Sequence, residues 1–174
     1  MKTYVVLFRG INVGGNNLLP MRELSELLGN NGFMNVKTYI QSGNVVLQAK
    51  SISSTKLGKL VSDTFGFKPE VIVLDKSEFL SSIKHNSFQD KDNKFVHFYF
   101  CAKKPALNSD KIEKYLGNAE EYKLKNKVFY LFAPNGIGRS KLVANIESCL
   151  GVPATGRNLN TINKLKEMIA MYTA

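Results

Sequence analysis

The chain has little of what most often carries chemistry: two cysteines, two histidines and four arginines in 174 residues. Cys101 and Cys149 form no C-x-x-C, and only His85 and His97 are there to join them, so no ordinary metal-ligand spacing exists. Both cysteines read as small buried hydrophobes in a reducing cytoplasm. No apolar run approaches the ~20 residues needed to span a bilayer, so no membrane partner is expected. The short apolar stretch of Met1 to Gly10 ends at Arg9 without a small-residue cleavage site, and reads as a strand rather than a signal peptide.

Catalytic signatures are equally scarce. There is no G-x-S-x-G, no G-x-G-x-x-G and no G-x-x-x-x-G-K-[ST], which removes the nucleophile elbow, the Rossmann turn and the P-loop. His97 and Cys101 share a strand face but lie about 13 Å apart at ~3.3 Å per residue, too far for an ion pair. Glu120-Glu121 reads as a solvated strand start and Asp90-Lys91-Asp92 as a loop, so no acid–base pair can be named. No catalytic residue can be named from these patterns, and no metal or cofactor is expected.

What is present is ordinary globular material, with 44% hydrophobic and 22% charged residues, enough for one large domain or two small ones. A formal net charge of +10 invites a polyanion partner. The excess is mostly Lys, however, spread along the chain with no block of five like charges, and compositional bias accounts for it equally well.

Hydrophobic periodicity gives the organisation. Thr3 to Arg9 reads as a strand, and Pro20 opens a helix with Met21, Leu24, Leu27 and Leu28 on one face. Val36 to Ile40 and Asn44 to Gln48 read as strands joined at Gln41-Ser42-Gly43. A helix from Ser53 to Phe65 and a strand from Glu70 to Leu74 complete β-α-β-β-α-β. The order then recurs: strand Lys94 to Cys101, helix Asn108 to Leu116, hairpin Glu121 to Lys125 and Val128 to Ala133, helix Ser140 to Leu150, and an extended piece at Val152 to Thr155. A last helix runs from Asn160 to about Met171. The fold class expected is α+β, two tandem ferredoxin-like halves with antiparallel sheets. Residues 1–76 form the first half, 77–93 a connecting helix and loop, and 94–174 the second half plus the terminal helix.

Three of the four arginines adjoin a glycine: Arg9-Gly10, Gly138-Arg139 and Gly156-Arg157. Guanidinium is a planar, always-charged fork that holds carboxylate or phosphate through two hydrogen bonds, and a neighbouring glycine admits backbone N–H groups to the same anion. In Arg9-Gly10-Ile11-Asn12-Val13-Gly14-Gly15 the arginine and Asn12 flank a glycine turn after a strand. Gln41-Ser42-Gly43-Asn44 makes a tight hairpin for local reasons alone, or adds polar groups to a site. Gly138-Arg139-Ser140 and Gly156-Arg157-Asn158 both lead into a helix, where Ser140 and either Asn158 or Asn160 are natural caps. Capping leaves the arginines unexplained, since a cation at a helix N-terminus is mildly unfavourable and an anion is favoured there. Phe95, Phe98, Tyr99, Phe100, Phe129, Tyr130 and Phe132 cluster on two strands, but the RNA-recognition pattern is missing and core is the better reading.

Tyr4 to Gly15, Tyr39 to Val45 and Arg157 to Leu165 together resemble a widespread bacterial family labelled as a domain of unknown function, number sixteen ninety-seven. The resemblance spans essentially the whole chain and implies two ferredoxin-like halves, with no activity attached. This chain has Leu159 where the family's last motif carries an aromatic. The expected ligand is a phosphate- or carboxylate-bearing molecule, a nucleotide or nucleic acid, held by the Arg/Gly loops. The alternatives are a small-molecule enzyme using Asn12, Gln41, Asn44 or Asn158 to orient substrate, and a protein-interaction module.

Overall fold

The computed structural model describes residues 1–172. Among them the chain forms two compact units, one of Met1–Ser81 with the segment from Lys164 onward, the other of Ser82–Asn163.

The first unit is built around β1 (Lys2–Arg9), whose residues Val5 to Phe8 have no solvent exposure at all. β1 is hydrogen-bonded on both sides, to β3 (Asn44–Ala49) and to β4 (Glu70–Asp75), with β2 (Met34–Tyr39) outside β3. Every pairing is antiparallel and the order is β2-β3-β1-β4, the arrangement of a split β-α-β unit. Side chains alternate across a strand, so Tyr4, Val6 and Phe8 share one face of β1 with Val45 and Leu47 of β3. That face packs on Met21, Leu24 and Leu28 of α1 (Met21–Asn30) and on Leu57 and Val61 of α2 (Ser54–Phe65). Both helices therefore lie on one side of the sheet. Ser53 caps α2 by accepting from the Lys56 N–H, and Gly66 ends it in a left-handed turn.

After α3 (Lys76–Lys84) the second unit repeats the pattern. β5 (Val96–Cys101), buried along its whole length, lies between β7 (Val128–Phe132) and β8 (Ala154–Asn158), with β6 (Glu121–Lys125) beside β7. Tyr99, Cys101, Phe129, Leu131 and Ala154 face Ile112 of α4 (Ser109–Tyr115), Leu142 of α5 (Lys141–Ala144) and Ile146, Cys149 and Leu150 of α6 (Ile146–Leu150). The opposite face carries Phe98 and Phe100, 0% and 1% exposed, and Tyr130, whose hydroxyl donates to the Ser82 carbonyl. These rings are core, in agreement with the sequence reading. The last helix, α7 (Leu159–Ala170), follows β8 directly, and the unit boundary falls within it.

Two boundaries differ from expectation for identifiable reasons. The single helix expected from Ser140 to Leu150 is broken at Asn145, whose Nδ2 donates to the Lys141 carbonyl and whose own carbonyl accepts from Ser148. Such local side-chain bonds compete with helix propagation. The extended piece expected to end at Thr155 continues as a strand through Gly156-Arg157-Asn158, a stretch with no strand signature, because pairing with Tyr99 to His97 recruits it.

Gly156 is where packing is tightest. A Cβ there would sit 2.5 Å from Cε1 of Tyr99, whose ring lies against the glycine across the β5–β8 pair. Gly156→Ala is expected to destabilise by about 1–3 kcal/mol, the usual cost of overpacking, read as a fall in denaturant midpoint. Burial pushes the Tyr99 phenol up to about 12, helped by the Glu120 carboxylate, and the Cys101 thiol up to about 11. Both groups stay protonated in the fold above their ordinary values of 10.0 and 9.0, so their contribution is complete below those values and is lost as pH rises to about 11 and 12. Burial lowers Arg157 to about 10, which opposes part of this loss above that pH. Tyr99→Phe should flatten the decline in stability between pH 10 and about 12, measured by denaturation at stepped pH.

Candidate functional site

The end of β1 releases the chain into an ordered finger. Asn12 N–H donates to the Asn17 carbonyl and Asn16 N–H to the Val13 carbonyl, so Val13 to Asn16 close a two-residue turn. Gly14 (φ 57) and Gly15 (φ 76) occupy its centre, the left-handed pair that such a tight turn requires. Asn17 Nδ2 then returns to the Gly10 carbonyl at 2.9 Å. These glycines are therefore explained by the turn itself, whatever else they do.

Asn12 ties the finger to the rest of the sheet end. Its Oδ1 accepts from the Leu19 N–H at 2.7 Å, while Nδ2 donates to the Leu19 and Gln41 carbonyls, both at 2.9 Å. A longer contact, 3.4 Å, reaches the Gln41 side chain. The hairpin turn beyond β2 is anchored a second time, because Phe8 N–H donates to the Gly43 carbonyl at 2.8 Å. Gly43 is a forced choice: at φ 92 its Cβ would stand 2.7 Å from Ile11 Cδ1 and 2.8 Å from Phe8 Cβ. Asn44 is fully buried, and its amide donates to the Tyr39 carbonyl and to Ser42 Oγ. Arg9, half-buried in register with Glu70, stands at the strand end beside Gly10 (φ 79). The structure thus brings together Arg9, Gly10, Asn12, Gln41, Ser42, Gly43 and Asn44, with Gly14 and Gly15 at the finger's tip.

Left-handed backbone concentrates here. Among the described residues thirteen have positive φ, and seven of them fall in this sheet end: Gly10, Asn12, Gly14, Gly15, Asn17, Ile40 and Gly43. Ile40, at φ 49, is the one β-branched residue in that set, and a branched Cβ in the left-handed region is costly. It is also 49% exposed, as Val13 and Leu18 are 65% and 63% exposed, each one residue from a member of the Asn12 clasp. Sequence reading missed Ile40, because neither φ nor exposure is legible in an isoleucine at the end of a strand.

The second unit's residues are placed differently. Ser140 caps the four-residue α5 by accepting from the Val143 N–H, and its hydroxyl donates to Glu120 Oε2 at 2.6 Å. Glu120 Oε1 also accepts from the Gly117 N–H at 2.7 Å, so Glu120 is a tethering group and not the solvated strand start expected. Arg139 lies exposed in the preceding loop. Arg157 sits in β8 rather than in a loop, on the sheet face of Phe98, and its Nη1 donates to the Gly156 carbonyl at 2.8 Å. Asn158 is the residue that caps α7, accepting from the Thr161 N–H at 2.9 Å, while Asn160 lies inside the helix and exposed. His97 is buried and lowered from its ordinary value by desolvation. Among the described residues no cluster of three His, Cys, Asp or Glu is arranged to hold a metal ion, and no helix is long and apolar enough to cross a membrane.

A repeated split β-α-β architecture with an ordered glycine finger at one sheet end defines the class of protein. The chain belongs to the family described as "Protein of unknown function (DUF1697)", whose model matches residues 1–130. Among solved structures it is similar to one described as the structure of conserved bacterial protein SP0830 from Streptococcus pneumoniae. The two share 25% identity at a TM-score of 0.70, over 96% of this chain and 98% of that one. No curated protein matches the sequence.

Asn12→Asp keeps the acceptor for Leu19 N–H but sets a carboxylate oxygen against two carbonyls. It should cost about 1–3 kcal/mol, the penalty for unsatisfied polar groups, and deprotect the finger amides in hydrogen exchange. Ile40→Gly should raise the melting temperature by relieving a strained φ worth about 1–3 kcal/mol. An unchanged or lower melting temperature would show that Ile40 is not strained.

Proposed function

We propose that the finger end of the first unit binds a phosphate- or carboxylate-bearing ligand, a nucleotide or a nucleic-acid strand. Arg9 supplies the fork, and Gly10, Gly14 and Gly15 leave their backbone accessible, since a Cβ at any of the three would meet nothing within 4 Å. The observation that carries the reading is the concentration of positive-φ backbone in two exposed segments locked together by Asn12. Three of these residues, Asn12, Asn17 and Ile40, are not glycine, and non-glycine residues held in the left-handed region by surrounding structure are characteristic of ligand clamps. In the second unit Arg139 is exposed, whereas the desolvation of half-buried Arg157 favours a structural role for it. An enzyme that orients substrate through Asn12, Asn44 or Asn158 is less well supported, because each of these side chains makes an internal bond. Two buried free thiols support a cytoplasmic location.

Isothermal titration at low salt with ATP and with a short single-stranded oligonucleotide tests this. Arg9→Ala should weaken binding of whichever probe is held by about tenfold or more, as expected for loss of a charge-assisted hydrogen bond. Arg9→Lys should recover only part of that loss, since Lys keeps the charge without the fork. Wild-type protein that binds neither probe would end the proposal.

A further inference from the structure

The edge of the first sheet carries a second recognisable feature. β2 pairs only with β3 and so is an edge strand. A groove of about 610 Å³ is lined by four consecutive β2 residues, Val36, Lys37, Thr38 and Tyr39. Successive side chains of a strand point to opposite faces, so a groove touched by four in a row runs along the strand's edge. Unpaired edge groups alternate along that edge and are open to a further strand. One wall is α1, through Met21, Arg22, Ser25 and Glu26, and the other is α7, through Lys164 and Met168. Met21 and Met168 are each 8% exposed and supply adaptable apolar surface. Three cations, Arg22, Lys37 and Lys164, line the groove with one carboxylate, Glu26, and Lys164 Nζ lies 3.6 Å from Glu167 Oε2 in an exposed pair. The Arg22–Glu26 pair at 3.4 Å joins side chains that are 91% and 62% exposed, and such pairs hold their partners weakly.

We propose that this groove is a docking site for an extended acidic peptide segment of a partner protein, which adds to the sheet as a strand beside β2. Main-chain hydrogen bonds to the Val36–Tyr39 edge supply affinity, and acidic side chains opposite Lys37, Lys164 and Arg22 supply selectivity. A register shift in the β2–β3 pairing between Met34 and Lys37 ends the regular edge there, so the bound segment is short. A second copy of this chain is the poorer occupant, because edge-to-edge pairing about a two-fold axis sets Lys37 and its neighbours against like charges. This site is separate from the finger and does not depend on its reading.

Fluorescence anisotropy with a labelled octapeptide of alternating Glu and Val, against one of alternating Lys and Val, tests the proposal. The acidic peptide should bind at low salt, by about tenfold or more over the basic one. Lys37→Glu with Lys164→Glu, both exposed positions, should abolish or invert that preference with an unchanged melting temperature. Hydrogen exchange should show added protection of outward-facing amides within Val36–Tyr39 when the acidic peptide is present. Absence of binding, equal binding of both peptides, indifference to charge reversal or unprotected Val36–Tyr39 amides would each overturn it. So would protection of these amides in a self-associated state without peptide, which would assign the edge to a second copy.

Discussion

A strand that is hydrogen-bonded on both sides and buried along its length has its ends fixed, and in each unit one such strand does this. β1 lies between β3 and β4, and β5 between β7 and β8, each with almost no exposed surface along its middle. Bulky rings and branched chains on these strands contribute the apolar burial, of the order of 1.5–3 kcal/mol per side chain. Moving either strand by one residue would turn its whole set of side chains to the opposite face. That register therefore decides where Arg9 leaves the first sheet, and where Gly156 must accept the Tyr99 ring in the second. The polar features of the molecule are consequences of those two placements.

Fixed strand ends make strained loops affordable. The finger from Gly10 to Leu19 would be floppy if it rested on its glycines alone, since glycine loses the most freedom on ordering. Asn12 removes that freedom by bonding to Leu19 at both its ends and to Gln41 across the gap. Asparagine suits the position twice over, because it tolerates the left-handed backbone and carries both donor and acceptor. The Gly43 constraint works from the other direction: Ile11 and Phe8 press so close that the turn cannot carry a side chain there. Finger and turn thus form one rigid object with exposed apolar residues, Val13, Leu18 and Ile40, at its surface.

The sequence made the two antiparallel sheets legible because hydrophobic periods of two and of about 3.6 alternate in the same order twice. It failed where long-range pairing overrode local preference. Gly156-Arg157-Asn158 has no strand propensity, yet an open edge of β5 makes it part of a strand. That one misreading changed the meaning of Arg157, since the argument from helix capping applied to a loop the chain does not have. Glu120 was misread for the same reason: its partners Ser140 and Gly117 are set by the tertiary fold rather than by neighbours in sequence. The glycines flanking Arg9 were legible as turn-formers, whereas the role of Asn12 as the tie between two distant loops was not.

Positive charge acquires meaning only once position is known. A net charge of +10 spread over the chain is uninformative as a total, and lysines on helix faces such as Lys59, paired with Asp63 at 2.8 Å, contribute little beyond solubility. Lys37 differs because of where it stands, on an edge strand between two helical walls, with its ammonium 5.6 Å from the centre of the Tyr172 ring. A lysine on an edge strand ordinarily guards it against pairing with another chain. The same charge that repels a second copy attracts an acidic strand, so protection and selectivity at this edge are one electrostatic property seen by two different partners.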